Sequence, residues 1–147
     1  MTIHFICRGN TFRSRLAETY LNSKQLPNIK AISSGTEAKV NDCGPVTWYA
    51  QRLIQDGNLI AFEKPTWDQT TKILLEKGDL TIFMHKNVYD FCVNKLEFDA
   101  KNFQIWDIPD IRNHFLTLPE EIKKVEASEK IFAEIKQKVD KLMGELK

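Results

Sequence analysis

The amino-acid sequence predicts an α/β fold built on a parallel sheet of four strands. Three observations carry this. Short β-prone apolar runs recur at 3–7, 29–34, 79–84 and 103–106. Segments with helical spacing of apolar residues lie between them. Gly, Asn and Pro residues punctuate the joints. Strands that alternate with helices imply parallel pairing with right-handed crossovers, and ligands in such folds bind beyond the carboxyl ends of the strands.

Residues 3–7 (Ile-His-Phe-Ile-Cys) form the first expected strand, followed by the turn Arg8-Gly9-Asn10-Thr11. Phe12, Leu16, Tyr20 and Leu21 then recur at helical spacing, so the spacing predicts a helix over 12–23. The run 29–34 closes at Gly35, and a loop carries Asn41, Asp42, Gly44 and Pro45. Helices are expected over 46–56, stopping near Gly57, and over 67–77, ended by Gly78. Asp79 to Met84 is the clearest strand, 86–96 reads as a helix, and Phe103-Gln104-Ile105-Trp106 as the fourth strand. Thr117-Leu118-Pro119-Glu120 is a plausible cap with acidic first-turn residues. After it, Ile122, Val125, Phe132, Ile135, Val139 and Leu142 form one apolar helical stripe, read as core packing.

A chain of 147 residues without internal repeats or a linker is expected to be one domain, 1–147. Its length can bury a core without disulfide or metal staples. Net charge is +1, which removes the global basic field of nucleic-acid binders, so a preference for anions must be local. The sequence has no apolar run long enough to span a bilayer and no secretory leader pattern at Met1-Thr2-Ile3-His4-Phe5. Three cysteines, Cys7, Cys43 and Cys92, fit neither a disulfide framework nor zinc spacing. The expectation is a cytoplasmic protein with reduced thiols, no metal and no cofactor, and neither nucleic acid nor membrane as partner.

The chemistry concentrates in Cys7-Arg8-Gly9-Asn10-Thr11-Phe12-Arg13-Ser14, between a strand end and a helix start. Backbone N–H groups in such a turn can converge on an anion, and the helix N-terminus adds more donors and partial positive charge. Gly9 permits close backbone approach, Asn10 tolerates a left-handed conformation, and Arg13 offers a planar fork for two phosphate oxygens. The same field favours a thiolate at Cys7, and Ser14 can donate to its sulfur. Thiolate, amides and arginine suit nucleophilic attack on a phosphoryl group. A bare Cys-x5-Arg match is weak; the strand before it, Gly-Asn within it and Arg-Ser at the helix start give it weight.

Those residues resemble the low-molecular-weight protein tyrosine phosphatase family, whose loop typically reads Cys-x-Gly-Asn-x-Cys-Arg-Ser-Pro after an N-terminal strand. Cys7, Gly9, Asn10, Arg13 and Ser14 match it. Ser33-Ser34-Gly35-Thr36 resembles the family's turn after the second strand. The strand from Asp79 to Met84 and the stretch Ile108-Pro109-Asp110-Ile111 resemble its third strand and its acid loop. The resemblance implies a four-stranded parallel sheet with helices on both sides, a three-layer α/β architecture. It also implies a metal-free, two-step mechanism on a phosphorylated protein or small phosphate ester. Cys7 would form a phosphocysteine, with Arg13 and the loop 8–14 (Arg8, Gly9, Asn10, Thr11, Phe12, Ser14) holding the phosphoryl oxygens. Asp110 would act as general acid and then base, and Ser34 with Asn10 would support the loop. Asp107 competes with Asp110 for the acid role.

The sequence also departs from the pattern. Phe12 stands where the family usually has a second cysteine, which removes a protective disulfide partner for Cys7. Arg15 replaces a common proline, Arg8 adds charge one residue after the nucleophile, and Lys39 and Arg112 lie near places where the family has aromatic wall residues. A more cationic and less aromatic mouth is therefore expected, with a substrate that either is not an ordinary phosphotyrosine protein or is strongly acidic. Thr11 resembles relatives that act on phosphoarginine. An arsenate reductase of the same fold is a further alternative, although Cys43 and Cys92 lack the close spacing of its relay thiols. A non-catalytic phosphate-binding module is another. His4, His85 and His114 are expected to be structural or solvated. Trp48, Trp67 and Trp106 are expected in core or edge packing, with Trp67 a candidate to flank the site.

Overall fold

A computed structural model describes residues 1–111 and 118–146 of the chain. Four strands, β1 (Thr2–Cys7), β2 (Lys30–Gly35), β3 (Leu80–Phe83) and β4 (Phe103–Ile105), form one parallel sheet in the order β2-β1-β3-β4. The helices are α1 (Arg13–Ser23), α2 (Trp48–Asp56), α3 (Lys72–Leu75), α4 (Lys86–Leu96) and α5 (Leu118–Glu145).

The two-residue period of β1 explains the layers. Ile3, Phe5 and Cys7 join a large core with Leu16 and Leu21 of α1, Tyr49 and Leu53 of α2, and Ile135 and Val139 of α5. Ile6 instead meets Val88 and Cys92 of α4, Leu75 of α3 and Phe83 in a second cluster. The sheet thus has helices on both faces, as the family resemblance implies. The stripe of α5 is core packing: Phe132, Ile135, Val139 and Leu142 are all buried. Ile122, assigned to the same stripe, is 55% exposed. Among the described residues, no helix is long and apolar enough to cross a membrane.

The expected helix 67–77 shrinks to the single turn of α3. The cause lies in long-range hydrogen bonds. The Asp68 carbonyl accepts the Gly35 N–H at 2.9 Å, and the Thr70 N–H donates to the Gly35 carbonyl at 2.9 Å. These groups extend the edge of β2 through a bridge between Gly35 and Gln69, so they are withdrawn from any helix. The helix expected at 46–56 starts at Trp48, because Thr47 caps it by accepting the Ala50 N–H at 3.3 Å. The cap expected at Thr117 and the expectations for Arg112, Asn113 and His114 fall outside the described residues.

Candidate active site

Strand β1 ends at Cys7, beside Gly35 of β2, and α1 begins six residues later at Arg13. Between them the chain makes a tight loop whose pivot is Asn10, at φ 55°. Asparagine accepts this left-handed conformation better than most residues. From there its backbone N–H reaches the Cys7 sulfur at 3.2 Å. Its side-chain amide donates to Ser14 Oγ at 2.7 Å and Ser33 Oγ at 2.9 Å. Ser14 Oγ lies 2.9 Å from Cys7 Sγ. Because the Ser14 oxygen already accepts from Asn10, its own proton is available to the sulfur.

The serine of β2 that meets Asn10 is Ser33, to which the sequence reading gave no role, and not Ser34 as expected. Ser34 points to the opposite face, as alternation along β2 requires. It pairs with Thr70 Oγ1 at 2.6 Å and His4 Nε2 at 2.7 Å in a buried layer under the sheet edge. Burial pushes the His4 imidazole down to about 3, with Lys64 acting in the same sense, so His4 is neutral. His85 caps α4, where its Nδ1 accepts the Asn87 N–H at 3.1 Å.

Arg13 is buried, and its Nη1 donates to the Ile108 carbonyl at 2.8 Å. Its Nη2 lies 3.5 Å from Asp110 Oδ2. Asp110 Oδ1 accepts the Ile111 N–H at 2.8 Å. Asp107, the competing carboxylate, is 93% exposed and faces His85 at 3.6 Å. Asp110 lines the cavity over Cys7 and Asp107 does not.

That cavity measures about 330 Å³. Its floor is Cys7, Arg8, Gly9, Thr11, Phe12 and Arg13, and its walls include Glu37, Val40, Asp42, Cys43, Tyr49, Asp110 and Ile111. Tyr49 and Cys43 were not anticipated in the wall. The Tyr49 ring packs edge-on to Phe12 at 5.0 Å, so the residue in place of the usual second cysteine supports an aromatic wall. A Thr47 cap that sets Trp48-Tyr49 in the first turn of α2 was the available sequence signal.

Among the described residues, the mouth is not the cationic one expected; Arg112, part of that expectation, lies outside them. Arg8 is paired with Glu37. Arg15 is buried and donates to the carbonyls of Pro45 at 2.8 Å and Lys64 at 2.5 Å. Lys39 is exposed and outside the lining, whereas Glu37 and Asp42 are in it. Among the described residues, Arg15 and Lys39 thus give an acidic substrate no cationic rim to bind. Trp67 does not line the cavity either, and Trp106 packs on Phe5 at 5.6 Å. Trp48 stacks edge-on against Tyr49 and is 48% exposed. Cys92 lies in the core cluster on the other face of the sheet, where burial pushes its thiol up to about 12.

Several solved structures share this fold. The low molecular weight protein tyrosine phosphatase from T. tengcongensis superimposes with a TM-score of 0.79 at 20% identity, over 99% of both chains. The tyrosine phosphatase Wzb from Escherichia coli K30, solved with sulphate, gives 0.76 at 20% identity, over 99% of this chain and 98% of that one. Vibrio vulnificus Wzb, in complex with benzylphosphonate, gives 0.71 at 23% identity, over 95% and 97%. No curated protein matches by sequence. The family model described as low molecular weight phosphotyrosine protein phosphatase matches residues 2–147. With that match spanning nearly every residue, the chain belongs to the low molecular weight phosphotyrosine protein phosphatase family.

Proposed function

We propose that the chain is a cysteine-dependent phosphatase that hydrolyses phosphate monoesters, phosphotyrosine in proteins first among them, through a phosphocysteine on Cys7. The single observation that carries this is the position of the Cys7 sulfur. It sits on the cavity floor with the Ser14 hydroxyl and the Asn10 N–H aimed at it, and Arg13 and Asp110 stand in the same cavity.

In the first step the Cys7 sulfur forms a bond to phosphorus as the ester oxygen leaves. Asp110 gives that oxygen its proton. Arg13 and the amides of the loop carry the charge on the equatorial oxygens. In the second step Asp110 takes a proton from water, which attacks phosphorus and releases Cys7 and inorganic phosphate. The exposure of Asp110, 39% at the side chain, gives it access to both leaving group and water. Ser33 and Ser34 act at a distance, through Asn10 and the buried layer under the loop. Tyr49, Val40 and Ile111 supply apolar wall for an aryl ring. Thr11 also lines the cavity, which favours phosphoarginine as the second substrate class to assay. We further propose a cytoplasmic setting, supported by Cys7, Cys43 and Cys92 all being thiols.

The test is hydrolysis of para-nitrophenyl phosphate across pH by the wild type, Cys7→Ser and Asp110→Asn. Activity is expected to vanish in Cys7→Ser and to fall about 10²-fold or more in Asp110→Asn. A wild type that binds phosphate but turns nothing over would leave only a binding module.

A further inference from the structure

The acid loop is held from two sides. On one side Arg13 Nη1 grips the Ile108 carbonyl at 2.8 Å. On the other, the Tyr49 hydroxyl donates to the Ile111 carbonyl at 3.4 Å. The N–H of the same residue, Ile111, donates to Asp110 Oδ1 at 2.8 Å. One residue therefore links the Tyr49 hydroxyl to one oxygen of the Asp110 carboxylate, while Arg13 faces the other oxygen at 3.5 Å.

Tyr49 is built as a fixed post. Its side chain is almost fully buried, with Phe12 edge-on at 5.0 Å and Trp48 edge-on at 5.3 Å. The Lys124 ammonium lies 5.6 Å from its ring centroid. Burial, followed by the negative charge of Asp110, pushes the Tyr49 hydroxyl well above its ordinary range. The group thus remains a neutral O–H donor at every working pH.

We infer that Tyr49 is a positioning residue for proton transfer: its hydroxyl holds Ile111 so that Asp110 presents its carboxyl to the leaving oxygen. This rests on the acid role proposed for Asp110. It makes a specific demand on kinetics. A misplaced acid harms esters whose leaving group needs a proton and spares those whose leaving group departs as a stable anion. A general loss of structure harms both alike.

The experiment compares kcat/KM for phenyl phosphate and 2,4-dinitrophenyl phosphate in the wild type, Tyr49→Phe and Asp110→Asn. This quantity reports the first irreversible step, in which the leaving group departs. Tyr49→Phe keeps the ring and removes only the hydroxyl. It is expected to lower the phenyl phosphate value about tenfold, and the dinitrophenyl value by no more than about twofold. Inhibition by inorganic phosphate should be unchanged, because the loop around Cys7 is untouched. Asp110→Asn should show the same selectivity with a larger loss. Equal losses on both esters in Tyr49→Phe, or no loss on either, overturn the positioning role while leaving Asp110 as the acid. Absence of selectivity in Asp110→Asn overturns the acid assignment itself, and the inference with it.

Discussion

The side-chain oxygen of Asn10 accepts the backbone N–H of Asp68 at 2.8 Å, across 58 positions of sequence. Asn10 thereby ties the Cys7 loop to the segment beyond Lys64, while its amide binds Ser14 and Ser33. Asn10→Ala would strand the Asp68 donor, deprive two buried hydroxyls, and force alanine into a left-handed backbone. Unmet buried partners cost about 1–3 kcal/mol each, so a loss of about 3 kcal/mol is expected. Urea unfolding measures it. A loss below about 0.5 kcal/mol, the range of an ordinary surface change, would show that the loop does not depend on this residue.

Gly35 meets the loop from β2. A Cβ there would lie 2.7 Å from the Arg8 carbonyl oxygen, 2.7 Å from the Asn10 nitrogen and 2.8 Å from the Gly9 carbonyl carbon. All three are backbone atoms, so no side chain can swing aside. Gly35→Ala should push the loop off β2, destabilise the fold by about 1–3 kcal/mol and weaken phosphate binding. Thermal unfolding with and without phosphate checks both parts. An alanine variant whose melting temperature still rises with phosphate as the wild type's does would refute the second.

The parts of this site that were legible in the sequence are those fixed locally. A β-prone run ending in Cys7, Gly-Asn within the turn and Arg-Ser at the helix start each carry their own backbone preference, and the structure realises all of them. The periods behind α1, α4 and most of α5 were legible for the same reason. What failed was set by distant partners. Segment 67–77 has helical composition, but Asp68 and Thr70 bond to Gly35. Arg15 reads as a mouth cation until three carbonyls from separate segments enclose it. Tyr49 gives no local sign that its hydroxyl meets Ile111.

Arg15 is 1% exposed, and its Nη atoms reach the carbonyls of Asn10, Pro45 and Lys64. Burial lowers its guanidinium from the ordinary value, opposed by Glu18, Glu63 and Asp68. Arg15→Ala should cost about 3 kcal/mol or more, since it leaves buried carbonyls unmet and opens a cavity. Arg15→Lys keeps the charge but cannot span the same acceptors, so it should recover only part of that. Denaturant midpoints rank the variants. A rim residue would instead leave stability unchanged and alter substrate preference.

His4 makes stability depend on pH. Buried against Ser34, its imidazole is pushed down to about 3 from an ordinary value of 6.5. Between those values the unfolded chain binds a proton that the folded chain refuses. Stability therefore falls as pH falls through this window, by up to about 1.4 kcal/mol per pH unit. Glu18 acts in the opposite sense: burial raises its carboxyl, so its contribution is present in acid and is lost as pH rises from its ordinary 4.5 through its folded value. His4→Gln keeps a polar partner for Ser34 and removes the titration. Between pH 7 and pH 4.5 the wild type should lose about 2–3 kcal/mol more than His4→Gln. Urea midpoints at the two pH values decide it, because the Glu18 contribution is common to both proteins and cancels. Identical pH dependence in the two would mean that His4 takes up its proton within the fold.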